Sequence, residues 1–279
     1  MILNGDVVDM LDEIESNTVQ ACITSPPYWN LRDYDNDNQL GMEDTPEEFA
    51  DSLVKVFRKL KRVLKKDGTL WLNLGDTYFG AKGGHWDKGN AIHNDTSGVQ
   101  FRIHKKAPPK HEYLKTKDLV GIPWMVAFKM QQDGWFLRND IIWSKPNPVP
   151  EAVKDRCAKS HEHMFMFAHP DSKGKYYYDY EAIMEESLTS RNQYKVRKDV
   201  WNVNTSSYKG AHFAVFPRKL IAPCILASTK PNDVVLDTFA GSGTTCALAQ
   251  DLNRKWIAIE LNPDYAEMIK ENTNQVKLF

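Results

Sequence analysis

Apolar positions along this chain alternate between two patterns. Phe49, Leu53, Val56, Phe57, Leu60 and Leu64 recur at helical spacing and predict a helix that lays one apolar stripe on a sheet. Its start is written in Thr45-Pro46-Glu47-Glu48. Thr45 serves as the N-cap, Pro46 takes the first helical position, and Glu48 closes a capping box. Gly68 is expected to end the helix. Short, mostly apolar runs predict buried strands over Ala21 to Ile23, Thr69 to Leu74, Asn139 to Trp143, His163 to Ala168, Asp233 to Asp237 and Trp256 to Glu260. Further helices are predicted over 119–132, 217–228, 243–252 and 263–272, the last capped by Asn262. Strands alternating with helices predict an α/β fold, a mostly parallel sheet covered on both faces.

Two stretches lack this periodicity. Residues 75–117 are rich in Gly, His, Asn and Lys, and residues 171–210 are polar and aromatic. Loops this long in a compact domain are usually functional or mobile. Removing them leaves 1–74, 118–170 and 211–279 as the core.

Composition narrows the class. The chain has 279 residues, 42% hydrophobic and 26% charged, as in an ordinary globular protein of one large or two small domains. No apolar run approaches the ~20 residues a membrane span needs, and no signal peptide is visible, so a cytoplasmic location is expected. Cys22, Cys157, Cys224 and Cys246 are far apart, without zinc-site spacing, and no metal is expected. His163 heads an apolar strand with no third ligand at metal spacing and reads as a structural histidine. The net charge of −1 does not announce a nucleic-acid binder, but basic residues cluster at Arg102, Lys105 and Lys106 and again at Arg191 to Lys198.

Two motifs carry chemistry. Thr24-Ser25-Pro26-Pro27-Tyr28-Trp29 leaves the first strand as a stiff loop, because two prolines remove two donors and fix two φ angles. A rigid row of acceptors beside an aromatic side chain suits a planar ring bearing an amino group. Val234 to Thr245 reads as strand, glycine turn and helix start, with Asp237 at the strand end and Gly241 and Gly243 in the turn. Glu260 ends the next strand, where Rossmann-like folds hold a ribose diol. A Gly-x-Gly turn with a carboxylate about 20 residues on points to an adenosine-containing cofactor. The third glycine of a dinucleotide fingerprint is absent, as is a Walker lysine. An adenosine bearing an amino acid would use Asp237 for its ammonium and Glu260 for its ribose.

In combination these motifs resemble the amino-group DNA methyltransferases in which the catalytic motif precedes the cofactor motif. Thr24 to Tyr28 resembles their catalytic loop, Asp237 to Thr245 their S-adenosylmethionine loop, and Asn4-Gly5-Asp6 their N-terminal Gly-Asp element. Ile142 to Pro148 resembles a strand and turn near the target base, and His212 to Pro217 a segment that contacts the methionine end of the cofactor. The resemblance implies a Rossmann-like, seven-stranded, mostly parallel sheet with permuted motif order, and target recognition by residues 75–117 and 171–210. It implies catalytic roles for Ser25, Pro26, Pro27 and Tyr28. It implies cofactor contacts from Asp6, Phe216, Pro217, Asp237, Phe239, Gly241, Gly243, Thr244, Thr245 and Glu260.

The expected reaction is methylation of the N4 amine of a cytosine flipped from double-stranded DNA, with Tyr28 stacking on the base. Adenine N6 remains an alternative, since the two reacting edges are alike and a serine hydroxyl suits either. Methylation of RNA or a protein amide, and a non-catalytic DNA-binding module, are alternatives of another class. Trp29, Arg102, Lys105, Lys106, Lys145 and Asn147 are the expected DNA contacts. A homodimer is an open alternative, and any restriction endonuclease would be a separate chain.

Overall fold

The computed structural model describes residues 1–33, 39–80, 92–94, 100–103, 110–187, 193–207, 214–215 and 217–274. In chain order the elements are β1 (Ile2–Asn4), α1 (Val7–Asp12), β2 (Val19–Thr24), α2 (Pro46–Val63), β3 (Leu64–Leu74), α3 (Ile122–Gln132), β4 (Phe136–Ser144), β5 (His161–Ala168), β6 (Val200–Asn202), α4 (Arg218–Ser228), β7 (Val234–Asp237), α5 (Thr244–Asp251), β8 (Lys255–Glu260) and α6 (Pro263–Asn274). The strands form one eight-stranded sheet in the order β1-β8-β7-β2-β3-β5-β4-β6. β5 runs against β3 and β4, and the other neighbouring pairs are parallel. The eighth strand, one more than the resemblance implies, is the three-residue β6 at the edge. So short a segment carries no readable period.

Alternate residues of each strand bury on opposite faces. Cys22, Leu70, Leu72, Phe165 and Phe167 pack with Val7 and Leu11 of α1, Phe49, Leu53 and Phe57 of α2, and Val126 and Met130 of α3. Ala21, Ile23, Trp71, Met164 and Met166 pack with Leu220 and Cys224 of α4 and Leu248 of α5. Both faces are covered, which is why the strands read as unbroken apolar runs.

The α2 capping box is present, with Thr45 Oγ1 accepting from Glu48 N at 3.2 Å. The helix stops at Val63, earlier than Gly68. Leu64 is extended and pairs with Val19, so strand pairing claims a residue whose spacing also suits the helix. Gly68 has a different task, since a Cβ there would lie 2.8 Å from the Gln20 carbonyl oxygen. α3 begins at Ile122 rather than 119, with Pro123 in its first turn where no intrahelical donor is lost. The N–H groups that open it, on Gly121 and Ile122, donate to Asp76 at 3.0 and 3.1 Å. Within residues 75–117, Ile92–Asn94 and Gln100–Ile103 pair antiparallel, and the latter also pairs with Arg32–Asp33.

Candidate active site

The carboxyl ends of β1, β8, β7, β2, β3 and β4 meet at one edge of the sheet, and β5 starts there. Register places Asn4 beside Glu260, Asp237 beside Ala258, Thr24 beside Leu72, and Trp143 beside Glu162. Ligands of open α/β sheets bind outside this edge.

Asp237 is 5% exposed and ties the two motifs together. Its Oδ1 accepts from Thr24 Oγ1 at 2.7 Å and from Phe239 N at 3.1 Å, and its carboxyl also accepts from the buried Thr245 hydroxyl. Thr238 Oγ1 donates in turn to Thr24 Oγ1 at 3.1 Å. The residue before the Ser-Pro-Pro-Tyr loop is therefore locked onto the glycine turn. Glu260 accepts from Gly241 N at 2.7 Å on one oxygen and from Asn262 N at 2.9 Å on the other, with a weaker contribution from the Leu261 N–H. A carboxylate has about four acceptor sites, which leaves room for a hydroxyl.

Burial pushes the Asp237 and Glu260 carboxyls above their ordinary pKa, and the proximity of Asp237 raises Glu260 further. Among the described residues neither has a lysine or arginine in ion-pair reach. Two inward acids without a protein cation fit a cationic ligand, such as one bearing a sulfonium and an ammonium. Gly241 has φ +51° and open space where a Cβ would stand, as a close ligand approach requires. Gly243 differs: at φ +81° its Cβ would press on Ile269 of α6 at 3.0 Å, so this glycine serves helix packing. Thr244 begins α5, half-buried. Asp6 caps α1 by accepting from Val8 N at 2.8 Å. Pro217 is the buried N-cap of α4. Phe216 lies outside the described residues.

On the other side of Thr24, Pro26 is buried and Ser25, Pro27 and Tyr28 are half-buried. Ser25 Oγ lies 3.4 Å from Asn73 Oδ1, and Asn73 Nδ2 donates to the His163 carbonyl at 3.0 Å. With its proton directed at Asn73, the serine oxygen presents lone pairs outward. The Tyr28 hydroxyl donates to Glu162 at 2.6 Å. The ring passes so close to Gly75 that a Cβ there would lie 2.6 Å from it. Glu162, Asn73 and Gly75 are not legible as site residues in the sequence. Their signal is spatial, because each comes from a strand or strand end far from the loop.

Several expected DNA contacts are otherwise engaged. Trp29 is 4% exposed and its indole N–H donates to the Glu43 carbonyl at 2.9 Å, so it is a core residue. Lys145 pairs with Glu162 and sits over the Trp143 ring, so its charge is already used. Asn147 Oδ1 accepts from Thr205 N at 2.9 Å and joins two loops. Arg102 lies in a described strand, its side chain outside the description, and Lys105 and Lys106 lie outside the described residues. His163 bonds Asp140 at 2.9 Å and stacks on Phe165. Among the described residues no three His, Cys, Asp or Glu side chains group as a metal site, and no helix is long and apolar enough to cross a membrane.

Comparison with known proteins gives concordant results. The profile of the DNA methylase family matches residues 19–271. The type II methyltransferase M.Cfr9I of Citrobacter freundii is 46% identical over 284 residues, covering 99% of this chain and 90% of the relative. M.SmaI of Serratia marcescens is 46% identical over 271 residues, covering 97% and 89%. Among solved structures, the PvuII DNA methyltransferase (cytosine-N4-specific) matches with a TM-score of 0.71 at 20% identity, over 100% of this chain and 87% of that one. A DNA modification methylase of Thermus thermophilus, complexed with S-adenosyl-L-methionine, matches with a TM-score of 0.63 at 23% identity, over 100% and 96%.

Proposed function

The chain belongs to the DNA methylase family, and on that footing we propose that it methylates the exocyclic N4 amine of a cytosine flipped out of duplex DNA. The observation that carries this reading is the Thr24–Asp237 hydrogen bond of 2.7 Å, which sets the acceptor loop against the cofactor turn. Bound S-adenosylmethionine supplies an electrophilic methyl group on its sulfonium. Asp237 and Glu260 neutralise the cofactor's positive charge and hold its ribose, while Phe239, Gly241, Thr244 and Thr245 frame the turn. An exocyclic amine is a poor nucleophile because its lone pair is conjugated into the ring. Ser25 Oγ and the Pro26 carbonyl accept its two N–H bonds and favour the pyramidal nitrogen, with dipoles aimed at the developing positive charge. Tyr28 stacks on the extruded base.

Serine at the head of the loop supports cytosine N4 because in the resembled family serine there goes more often with cytosine and aspartate with adenine; the hydroxyl itself suits either amine. The solved neighbour named for that specificity lends the fold alone. Adenine N6 is the second reading. Residues 75–117 and 171–210 read the target, and the type II names of the relatives support a separate restriction endonuclease as partner. The test is to express the chain in a host lacking modification, sequence its genomic DNA for modified bases, and identify the methylated nucleoside by mass spectrometry. N4-methylcytosine in one sequence context supports the proposal. N6-methyladenine would transfer it to the second reading, and no methylated DNA from folded, cofactor-binding protein would refute it.

Two further outcomes are expected. Gly75→Ala pushes on the Tyr28 ring, whose far end is held, and should lower turnover about tenfold or more and the melting temperature by a few degrees, the overpacking costing ~1–3 kcal/mol. Cofactor affinity should depend on pH. Asp237 and Glu260 hold their protons more tightly in the folded state than at the ordinary values of 3.8 and 4.5. Their contribution to stability is therefore present below those values and lost as pH rises through the raised ones. The ligand wants the ionised forms, so its Kd should rise as pH falls through the same window. Calorimetric titration across pH checks this, and Glu260→Gln should flatten part of the profile.

A further inference from the structure

Glu162 stands at the start of β5, 11% exposed at its side chain, and its two oxygens have different partners. Oε2 accepts from the Tyr28 hydroxyl at 2.6 Å, and Oε1 accepts from Lys145 Nζ. Lys145, 13% exposed, lies 4.3 Å from the centroid of the Trp143 ring, and the Trp143 indole donates to the Val203 carbonyl at 2.8 Å. Trp143 and Glu162 are direct neighbours across the β4–β5 ladder. The acid is thus fixed by strand register and neutralised by a lysine that is itself fixed over a ring.

A buried carboxylate paired in this way is a strong acceptor. The phenol at its other oxygen is held at its far end, and the Cε2–Cζ edge of the ring, beside that hydroxyl, borders Gly75. A tyrosine has two side-chain torsions, and contacts at the edge and the hydroxyl restrict both. We infer that Glu162 is a positioning residue: with Lys145 it holds the Tyr28 ring in the one plane on which the extruded base stacks. This rests on the proposed function, since it assigns a use to the Tyr28 ring that only a planar target has. Glutamine is a poor substitute for the acid: it loses the charge that pairs with Lys145, and its NH2 end can face the phenol only if the hydroxyl becomes the acceptor and turns its own proton to the more distant Asn73 Oδ1, 3.4 Å away.

The test compares Glu162→Gln, Tyr28→Phe and the double variant with the wild type in the full chain. Each is measured for kcat on DNA carrying the target, KM for that DNA, cofactor Kd and melting temperature. We expect Glu162→Gln to lower kcat about tenfold with cofactor Kd within about twofold, and Tyr28→Phe to do the same. The double variant should be no slower than the slower single one, because both changes break one link. Losses that multiply would overturn the inference. So would a wild-type kcat in Tyr28→Phe, which stays informative if Glu162→Gln fails to fold. A second readout needs no activity. With tyrosine labelled at the phenolic carbon, the Tyr28 NMR resonance, assigned by its loss in Tyr28→Phe, should move in Glu162→Gln. An unmoved resonance would overturn the inference. A moved resonance in a protein that methylates no DNA would instead refute the proposed function and leave the coupling standing.

Discussion

Replacing Tyr28 with alanine is expected to lower kcat/KM for DNA by on the order of 10- to 100-fold. Stacking a base on an aromatic side chain is worth ~1–3 kcal/mol, and each 1.4 kcal/mol is tenfold in rate. The loss should fall on the DNA side of the reaction. Tyr28 bonds Glu162 and borders Gly75, whereas Asp237 and Glu260, the carboxylates proposed to hold the cofactor, end β7 and β8, beyond Thr24. Cofactor Kd should therefore stay within about twofold. Steady-state kinetics with calorimetric cofactor binding separates the two, and an equal loss of both would contradict the assigned role. Alanine also leaves Glu162 with the lysine alone, so some of the loss reports a disturbed ion pair.

Asp237→Ala is expected to weaken both cofactor binding and the fold, for different reasons. The carboxyl is buried and accepts from the Thr24 and Thr245 hydroxyls and the Phe239 N–H. Removing it strands three donors at a cost of ~1–3 kcal/mol for each that stays buried, a large share of a marginal stability. Asp237→Asn separates the terms. It keeps the shape and one carbonyl acceptor, so it should fold, yet it removes the charge proposed to meet the cofactor. A lost charge-assisted hydrogen bond is worth ~1.5–3 kcal/mol, and an affinity loss on the order of 10- to 100-fold follows. Thermal melting and calorimetry on both variants check this. A cofactor Kd unchanged in Asp237→Asn would remove Asp237 from the binding site and leave it a purely structural link.

The legible parts of this protein are those written in short-range pattern. The apolar stripe and capping box announce α2, and the glycine turn between Asp237 and Thr245 announces the start of α5. β1 and β6 escape such a reading because three residues cannot display a period. The end of α2 is ambiguous in the sequence because Leu64 satisfies the helical and the strand pattern alike, and only its pairing with Val19 selects between them. Lys145 and Asn147 follow the same logic. A polar side chain in a turn near the loop reads as a ligand contact, until a partner from another segment is seen to occupy it.

Residue type and spacing along a few turns or strand steps suffice to predict two loops that could carry chemistry, which residues stand in them, and that a covered, mostly parallel sheet presents them. Packing in three dimensions was needed to show that Thr24 joins them through Asp237, across 213 positions, and that Glu162 holds Tyr28 across 134. It also assigns Trp29 to the core. The difference comes from strand order. Side chains at the carboxyl edge of a sheet become neighbours when distant segments pair, and no local periodicity encodes which strand lies beside which.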